Sequence, residues 1–379
     1  MGMGIRRVAG AVALALLMAL AILVSTTGHA AAVTPSTRWH GSFSPRLTLP
    51  AGADASGTWP RRNYYVYVPP SLPASGQRSL VVYLHGTTQT AIDAANGATW
   101  NDLADHERFI VVYPEEATSA ESGDPTDGSN DLRGWSWGRA AYETRGSGES
   151  RAIEEITQRV IEAYGVDRGS VYIGGVSAGA IMSTVVAATY PDVYGAVASW
   201  AGCDYLCVDT TGALGYQRMG AYARVVPTIM FAGTLDYTVN PALTGTQIPG
   251  TVEMNDLADD GLPNRSVKLV QGPTNHNLSV ATLEPGPHPD VTGNGCHFTN
   301  SANNPCPAGW LDWKTYPYTV TKFGYGTQPQ DVVVESWIIH GMSHNYSGGN
   351  PDGSYVDPYG PETTAPAWRF FGAHSRSRG

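Results

Sequence analysis

Residues 171–180 restrict the fold of this chain more than any other stretch, because they have the pattern of an apolar strand, a tight turn and a helix start. Ser177 lies at the turn, between Gly175 and Gly179 of a Gly-x-Ser-x-Gly motif. Small flanking residues let neighbouring backbone come close to a strained serine. A chain with 44 glycines can contain this pentapeptide by chance, so the strand–turn–helix context carries the prediction. That context predicts an exposed Ser177 hydroxyl at the carboxyl end of a buried strand, in the position of a nucleophile.

The first 32 residues have the pattern of a secretory signal peptide. Arg6 and Arg7 form a short basic region, residues 8–24 are apolar, and residues 28–32 supply small side chains for cleavage. An uncleaved membrane anchor is the alternative, but the apolar run is short and a polar stretch follows it. We therefore expect a secreted, extracellular protein that has no membrane contact after cleavage.

Charge and length narrow the class of protein further. The net charge is −10 and no basic cluster is present to neutralise phosphates, which argues against a nucleic-acid partner. Residues 33–379 are long for one domain but within the range of a single α/β enzyme, and we expect a monomer.

Four cysteines are present, and an even number in a secreted chain favours disulfides over a metal site. Three pairings are possible. We favour the local pairs Cys203–Cys207 and Cys296–Cys306. A four-thiolate zinc site is disfavoured because no Cys-x-x-Cys pattern occurs.

Strand and helix patterns alternate along the chain. Strands are predicted at residues 63–68, 80–84, 109–113, 171–176, 196–201, 228–232 and 332–339, and helices at 100–106, 150–164 and 178–190. This alternation predicts an α/β fold with a mostly parallel central sheet and helices on both faces. Residues 261–330 show little periodicity, and we predict that they form an insertion covering the active-site face.

A long Gly- and Asp-rich loop is predicted at residues 115–148, and loops of this length in compact domains are often functional. We predict that its Trp135 and Trp137, with Trp310 of the insertion, contact substrate. Asp124, Asp127, Asn130 and Asp131 resemble a calcium loop only loosely, because the EF-hand spacing is absent. A solvated turn is the preferred interpretation, and no metal is expected.

A serine nucleophile needs a histidine base, and the histidine needs a carboxylate to hold its tautomer. In an α/β sheet with this motif, the chain order is serine, acid, histidine. Asp236 follows the strand at 228–232 and is the predicted acid, with Asp204 as the alternative. His344 lies in the loop after the last strand and is the predicted base. His340 directly continues that strand and is predicted to be structural.

Two backbone N–H groups are candidates for an oxyanion hole. The Ala178 N–H lies at the predicted helix start, where N–H groups are unpaired. The second donor should come from the loop after the strand at 80–84, and we assign it to Thr87, since Gly86 permits a close approach.

Four segments together resemble a known family. Residues 83–91, the motif around Ser177, residues 233–241 and residues 341–349 are similar to the secreted esterases of the polyhydroxybutyrate depolymerase family, which also contains feruloyl and acetylxylan esterases. The similarity runs from about Asn63 to Phe371. It implies an α/β-hydrolase fold and a serine esterase that uses Ser177, Asp236 and His344 as its triad and needs no cofactor.

The resemblance implies an extracellular carboxylic-ester hydrolase acting on polyhydroxyalkanoate. Feruloyl or acetyl esters of plant polysaccharide are the alternative substrates. In either case the expected partner is a polymeric or small ester. A non-catalytic binding protein of the same fold is a third interpretation, which the intact triad disfavours.

In one respect the chain departs from the family, which commonly has cysteine at the positions of Thr87 and Gly134. If those cysteines pair in relatives, the oxyanion loop here lacks that bridge, and its rigidity is open.

Overall fold

The computed structural model describes residues 33–124, 126–139, 142–239, 241–276 and 316–376. The predicted signal peptide, Cys296, Cys306 and Trp310 lie outside the described residues. The strands in chain order are β1 (Ser42–Phe43), β2 (Leu47–Leu49), β3 (Gly52–Asp54), β4 (Gly57–Trp59), β5 (Arg62–Val68), β6 (Arg78–Leu84), β7 (Ile110–Glu115), β8 (Val166–Val176), β9 (Val197–Trp200), β10 (Thr228–Gly233), β11 (Lys268–His276), β12 (Tyr318–Gly324), β13 (Val332–Ile339), β14 (Tyr346–Ser347) and β15 (Val356–Asp357).

Seven α-helices among these residues fall between strands, as the predicted alternation requires, and one follows the last strand. They are α1 (Ala91–Gly97), α2 (Trp100–Glu107), α3 (Ser119–Ser122), α4 (Gly148–Tyr164), α5 (Ala178–Thr189), α6 (Ala213–Met219), α7 (Pro241–Asp260) and α8 (Thr364–Ala373). Local sequence explains where α4, the clearest predicted helix, terminates: Gly165 follows its last residue and adopts a left-handed φ of 60°.

The main sheet has eleven strands in the described part of the chain, in the order β1-β5-β7-β6-β8-β9-β10-β13-β12-β11, with β2 also paired to β5. The central strands β7, β6, β8, β9, β10 and β13 are parallel, and antiparallel strands extend the sheet at both ends. The predicted mostly parallel sheet is confirmed. Because parallel strands share one carboxyl edge, the loops after β6, β8, β10 and β13 meet there.

Helices cover both faces of the sheet, and alternation along β6 shows why. Leu80, Val82 and Leu84 point into one apolar cluster, which includes side chains of α4, α5, α6 and α7. Val81 and Tyr83 point into the other, which includes side chains of α1, α2 and α8. A strand buried on both faces is apolar throughout, which is the pattern that the sequence shows.

The sequence-based prediction differs from the structure at several places, including Pro114 and residues 261–330. The strand predicted to stop before Pro114 continues through Glu115, with Pro114 opposite Tyr64 of β5. Pairing with β6 has already ended at Val112, so at Pro114 the strand is paired on one side only, where proline is tolerated. The second difference lies in residues 261–330, where β11 and β12 add antiparallel strands at the edge of the sheet.

A buried ion cluster joins the start of β5 to the long loop and to α4. The Arg62 guanidinium donates to Glu116 at 2.9 Å, to Asp127 at 3.1 Å and to Glu149 at 2.9 Å. The side chains of Arg62, Glu116 and Glu149 are fully buried. Burial, together with the nearby Glu149 carboxylate, raises the pKa of Glu116, while Arg62 opposes that shift.

No α-helix within the described residues combines the length and the apolar character needed to cross a bilayer.

We expect Arg62→Met to lower the free energy of unfolding by about 3–5 kcal/mol, because it leaves buried carboxylates without their cation. Denaturant-induced unfolding of the variant and the wild type measures the difference. Arg159→Met is the matched control, since Arg159 forms an exposed pair with Glu155 on α4 and should cost less than about 1 kcal/mol. An Arg62→Met protein as stable as the control would contradict this account.

Candidate active site

The backbone at Ser177 has the strained conformation that the motif predicts. Its φ is 55° and its ψ is −123°, between the end of β8 and the start of α5. The Ser177 N–H donates to the Trp200 carbonyl at 2.9 Å, which fixes the turn to β9. A non-glycine residue at positive φ costs of order 1–3 kcal/mol and is typical of functional sites. The hydroxyl is partly exposed at the carboxyl edge of the sheet.

Both glycines of the motif are required by close backbone contacts. A Cβ on Gly179 would lie 2.3 Å from the Leu84 carbonyl oxygen, and one on Gly175 would lie 2.6 Å from the Gly179 carbonyl carbon. Any side chain at either position would push α5 away from β6 and β8. The glycines therefore place the nucleophile turn against the end of β6.

The structure brings the three predicted triad residues together. His344 Nε2 lies 2.8 Å from Ser177 Oγ, and His344 Nδ1 lies 2.7 Å from Asp236 Oδ2. The Asp236 side chain is fully buried, and its Oδ1 accepts the N–H groups of Thr238 at 3.0 Å and Val239 at 2.8 Å. These bonds hold the carboxylate in place, so it can orient the imidazole.

Hydrogen bonds between the loop after β10 and the loop after β13 bring Asp236 and His344 together. The Leu235 N–H donates to the Met342 carbonyl at 3.0 Å, and the Gly341 N–H donates to Thr234 Oγ1 at 2.9 Å. His340, predicted to be structural, lies 2.8 Å from Thr319 Oγ1 through its Nε2, and burial lowers its pKa.

The loop after β6 lies directly against the nucleophile. A Cβ on Gly86 would be 3.4 Å from Ser177 Cβ, which places the Thr87 backbone beside the serine. Among the described residues, no acceptor takes a hydrogen bond from the backbone N–H of Thr87 or of Ala178. The structure thus places two N–H groups, both unpaired within the described residues, where the sequence predicts an oxyanion hole.

Hydrogen bonds hold this loop where relatives were expected to use a disulfide. Thr88, at a φ of 69°, donates its N–H to the Leu132 carbonyl at 2.6 Å. Trp135 Nε1 donates to the His85 carbonyl at 2.9 Å. These bonds tie the loop to the long loop near the two positions where the family commonly has cysteines.

The predicted substrate contacts fall in different places. Trp135 is only 3% exposed and packs against the His85 ring at a tilt of 37°, so its position supports the loop and does not favour contact with substrate. Trp137 is partly buried and packs on Ile181, Val239 and the cystine formed by Cys203 and Cys207. That disulfide confirms the predicted pairing. Contact of Trp137 with substrate remains a prediction.

The polar side chains of the long loop make hydrogen bonds and ion pairs within the protein. Asp127 pairs with Arg62, Asp131 accepts the Ser119 N–H at 3.3 Å, and the Asn130 amide donates to the Gly134 carbonyl at 2.7 Å. No group of three or more potential metal ligands occurs in the described ranges.

Asp204, the alternative acid, is not the partner of His344. It lies next to the Cys203–Cys207 disulfide, 2% exposed, and its Oδ2 has no hydrogen-bond partner among the described residues. Burial, and then the neighbouring Asp209 carboxylate, raise its pKa from 3.8 to about 7.

The Asp204 environment predicts a pH-dependent stability. Between pH 4 and 7 the folded protein keeps a proton that the unfolded chain has lost, so the free energy of unfolding falls as the pH rises, by about 1.4 kcal/mol per pH unit. Asp204→Asn removes this titration. Denaturant unfolding should therefore show the variant gaining stability relative to the wild type from pH 4 to pH 8. Parallel pH profiles for the two proteins would contradict the prediction.

Thr87 and Gly134 are placed to accept a disulfide. A Cβ on Gly134 would lie 3.4 Å from Thr87 Oγ1. We expect Thr87→Cys with Gly134→Cys to oxidise spontaneously and, by closing a loop of about 50 residues, to raise the free energy of unfolding by about 2–4 kcal/mol. Thiol titration and unfolding with and without reductant measure this, with each single variant as control. Free thiols in the oxidised double variant would refute the placement.

Comparisons with known proteins agree with this geometry. The family model described as esterase PHB depolymerase matches residues 62–256, just over half of the chain. Poly(3-hydroxyalkanoate) depolymerase C of Paucimonas lemoignei is 33% identical over 235 residues, which are 55% of this chain and 54% of that protein. Probable acetylxylan esterase A of Aspergillus fumigatus is 30% identical over 198 residues, 51% of this chain and 48% of that one. The chain spans about half the length of these curated relatives.

Among solved structures, an acetyl xylan esterase from Aspergillus awamori has a TM-score of 0.53 and 17% sequence identity. The match covers 87% of this chain and 100% of that one, and it supports the fold. The predicted α/β-hydrolase fold is confirmed. Taken with the matched family model, these similarities establish that the chain belongs to the esterase PHB depolymerase family.

Proposed function

We propose that this protein is a serine carboxylic-ester hydrolase that cleaves polyhydroxyalkanoate polyesters through an acyl-enzyme. The single observation that carries the proposal is the unbroken hydrogen-bond series from Ser177 through His344 to Asp236. Serine is a weak nucleophile at neutral pH unless a base within hydrogen-bond reach takes its proton. His344 Nε2, 2.8 Å from Ser177 Oγ, is in that position.

The reaction follows from this arrangement. Ser177 Oγ attacks the ester carbonyl while His344 takes the hydroxyl proton, and Asp236 stabilises the resulting imidazolium. The N–H groups of Thr87 and Ala178 bind the negative oxygen of the tetrahedral intermediate. Collapse transfers the His344 proton to the leaving alcohol and leaves an ester on Ser177. Water, activated by His344, then releases the acid, and no step requires a metal or an organic cofactor.

Exposed apolar side chains next to the site support a polyester substrate. Tyr237, which follows Asp236, is 59% exposed, and Tyr355, whose hydroxyl lies 3.2 Å from Thr88 Oγ1, is 42% exposed. Aromatic side chains of this kind bind uncharged, partly apolar polymers well. The depolymerase relative favours the same substrate class.

Acetyl or feruloyl esters of plant polysaccharide are the second candidate, because the acetylxylan esterase relative matches a similar share of the chain. The chemistry would be unchanged, and only the groups that contact the acyl and alcohol portions would differ.

We extend the proposal to location and assembly. The Cys203–Cys207 disulfide supports an extracellular, oxidising compartment, in line with the predicted signal peptide. One chain supplies all three triad side chains, which supports action as a monomer.

Product analysis distinguishes the substrates. We expect purified protein to release hydroxybutyrate monomer or dimer from a polyhydroxybutyrate film, detected by mass spectrometry, and Ser177→Ala to release none while keeping the wild-type circular dichroism. Ferulate or acetate from feruloylated, acetylated arabinoxylan without erosion of the film would favour the second candidate. No hydrolysis of either substrate, together with no labelling of Ser177 by an organophosphonate, would contradict a serine esterase.

A further inference from the structure

The peptide group between Gly86 and Thr87 carries one of the two proposed oxyanion donors. Its N–H belongs to Thr87 and its carbonyl to Gly86. Since a peptide group is planar and its N–H and C=O point in opposite directions, a bond that holds the Gly86 carbonyl also aims the Thr87 N–H. What holds this carbonyl therefore decides where the donor points.

His85 holds it. His85 Nδ1 lies 2.8 Å from the Gly86 oxygen, and His85 Nε2 accepts the Glu116 backbone N–H at 3.0 Å. A backbone N–H is always a donor, so Nε2 must be unprotonated and Nδ1 must carry the proton. The tautomer is thus fixed, with Nδ1–H donating to the Gly86 carbonyl. The side chain is fully buried, and burial lowers the pKa of His85, which keeps the ring neutral.

Gln89 holds the adjacent peptide group. Its Oε1 accepts the Gly86 N–H at 2.8 Å, and its Nε2 donates to the Ser354 carbonyl at 2.9 Å. On the other end of the same peptide, the His85 carbonyl accepts Trp135 Nε1. Gln89 is only 3% exposed, so water does not compete for these bonds. Both peptide groups that flank the Gly86 Cα are therefore fixed by side chains.

We propose that His85 is a positioning residue for ester hydrolysis, which acts by clamping the Gly86–Thr87 peptide so that the Thr87 N–H points at the oxyanion, and that Gln89 supports the clamp. This inference rests on the proposed function. The negative oxygen develops only in the transition state, so a misdirected N–H lowers kcat and leaves KM nearly unchanged. Neither side chain touches the reacting atoms.

Two substitutions separate the two bonds of the imidazole. Asparagine places an amide nitrogen near the position of Nδ1, so His85→Asn keeps the donor to Gly86 and loses the acceptor for Glu116. Glutamine places its oxygen near the position of Nε2, so His85→Gln keeps the acceptor for Glu116 and loses the side-chain clamp, leaving the Gly86 carbonyl with only the longer bond from the Gln89 N–H. With p-nitrophenyl butyrate as substrate, we expect kcat to fall about 100-fold in His85→Gln and only a few-fold in His85→Asn, with KM unchanged in both.

A transition-state analogue gives a second readout that a purely structural role would not move. The tetrahedral adduct of butaneboronic acid with Ser177 places an oxygen in the oxyanion hole. Its inhibition constant should rise in parallel with the loss of kcat/KM in His85→Gln. His374→Asn is the matched control, since His374 is a partly buried histidine whose Nδ1 also lies 2.7 Å from a backbone carbonyl, that of Phe370. We expect this control to keep wild-type kcat.

The outcomes distinguish the claims. Equal losses in both His85 variants, or a larger loss in His85→Asn, would overturn the positioning role while leaving the esterase intact. If His85→Gln does not fold, Gln89→Met tests the same peptide groups, and an unchanged kcat in that variant would overturn the proposal. A wild-type protein that neither hydrolyses the ester nor binds the boronic acid would instead overturn the proposed function, and the positioning role with it.

Discussion

The strained backbone of Ser177 is the constraint on which the rest of the site depends. A φ of 55° at a serine is unfavourable in isolation, and it persists because the surrounding sheet leaves no alternative. The preceding strand is fixed between β6 and β9, and the following helix is pressed against the Leu84 carbonyl through Gly179. Two buried, well-packed elements thus enforce a conformation that no local interaction would favour.

The same strand order brings together residues that are far apart in the chain. Ser177 and His344 are separated by 167 positions, and Asp236 and His344 by 108, yet each pair is in hydrogen-bond contact. Because β8, β9, β10 and β13 are neighbours and parallel, their carboxyl ends bring Ser177, Asp236 and His344 to one edge. β6, on the other side of β8, delivers the oxyanion loop to the same edge. The site is therefore a consequence of topology, completed by short loops.

The central strands and the triad positions could be predicted from sequence because a local sequence pattern indicates each of them. The buried strands are continuous apolar runs, and the triad residues follow them at strand ends, so their meeting could be inferred. Other features give no such signal. Arg62 lies at the start of β5, and the residues next to it in sequence do not indicate that it pairs with three buried carboxylates. From sequence, Trp135 could not be distinguished from an exposed aromatic residue. Its contacts are with a part of the chain 50 positions away, where its indole N–H donates to the His85 carbonyl. The strands β11 and β12 lack periodicity because nearly all of their side chains are partly or fully exposed.

Glu116 links the buried ion cluster to the oxyanion loop, and this link explains why charge is retained in the core. Its carboxylate binds Arg62, its N–H binds His85, and its carbonyl accepts Arg133 at 2.7 Å. Replacing all members of a buried ion cluster by apolar side chains often leaves the free energy of unfolding unchanged. It would not, however, tie the long loop to β5 and α4 while holding the backbone that His85 needs. This chain lacks a Thr87–Gly134 disulfide, and the polar network holds the loop in its place. The free-energy cost of burying the ions is therefore offset by the ordering of the loop at the site.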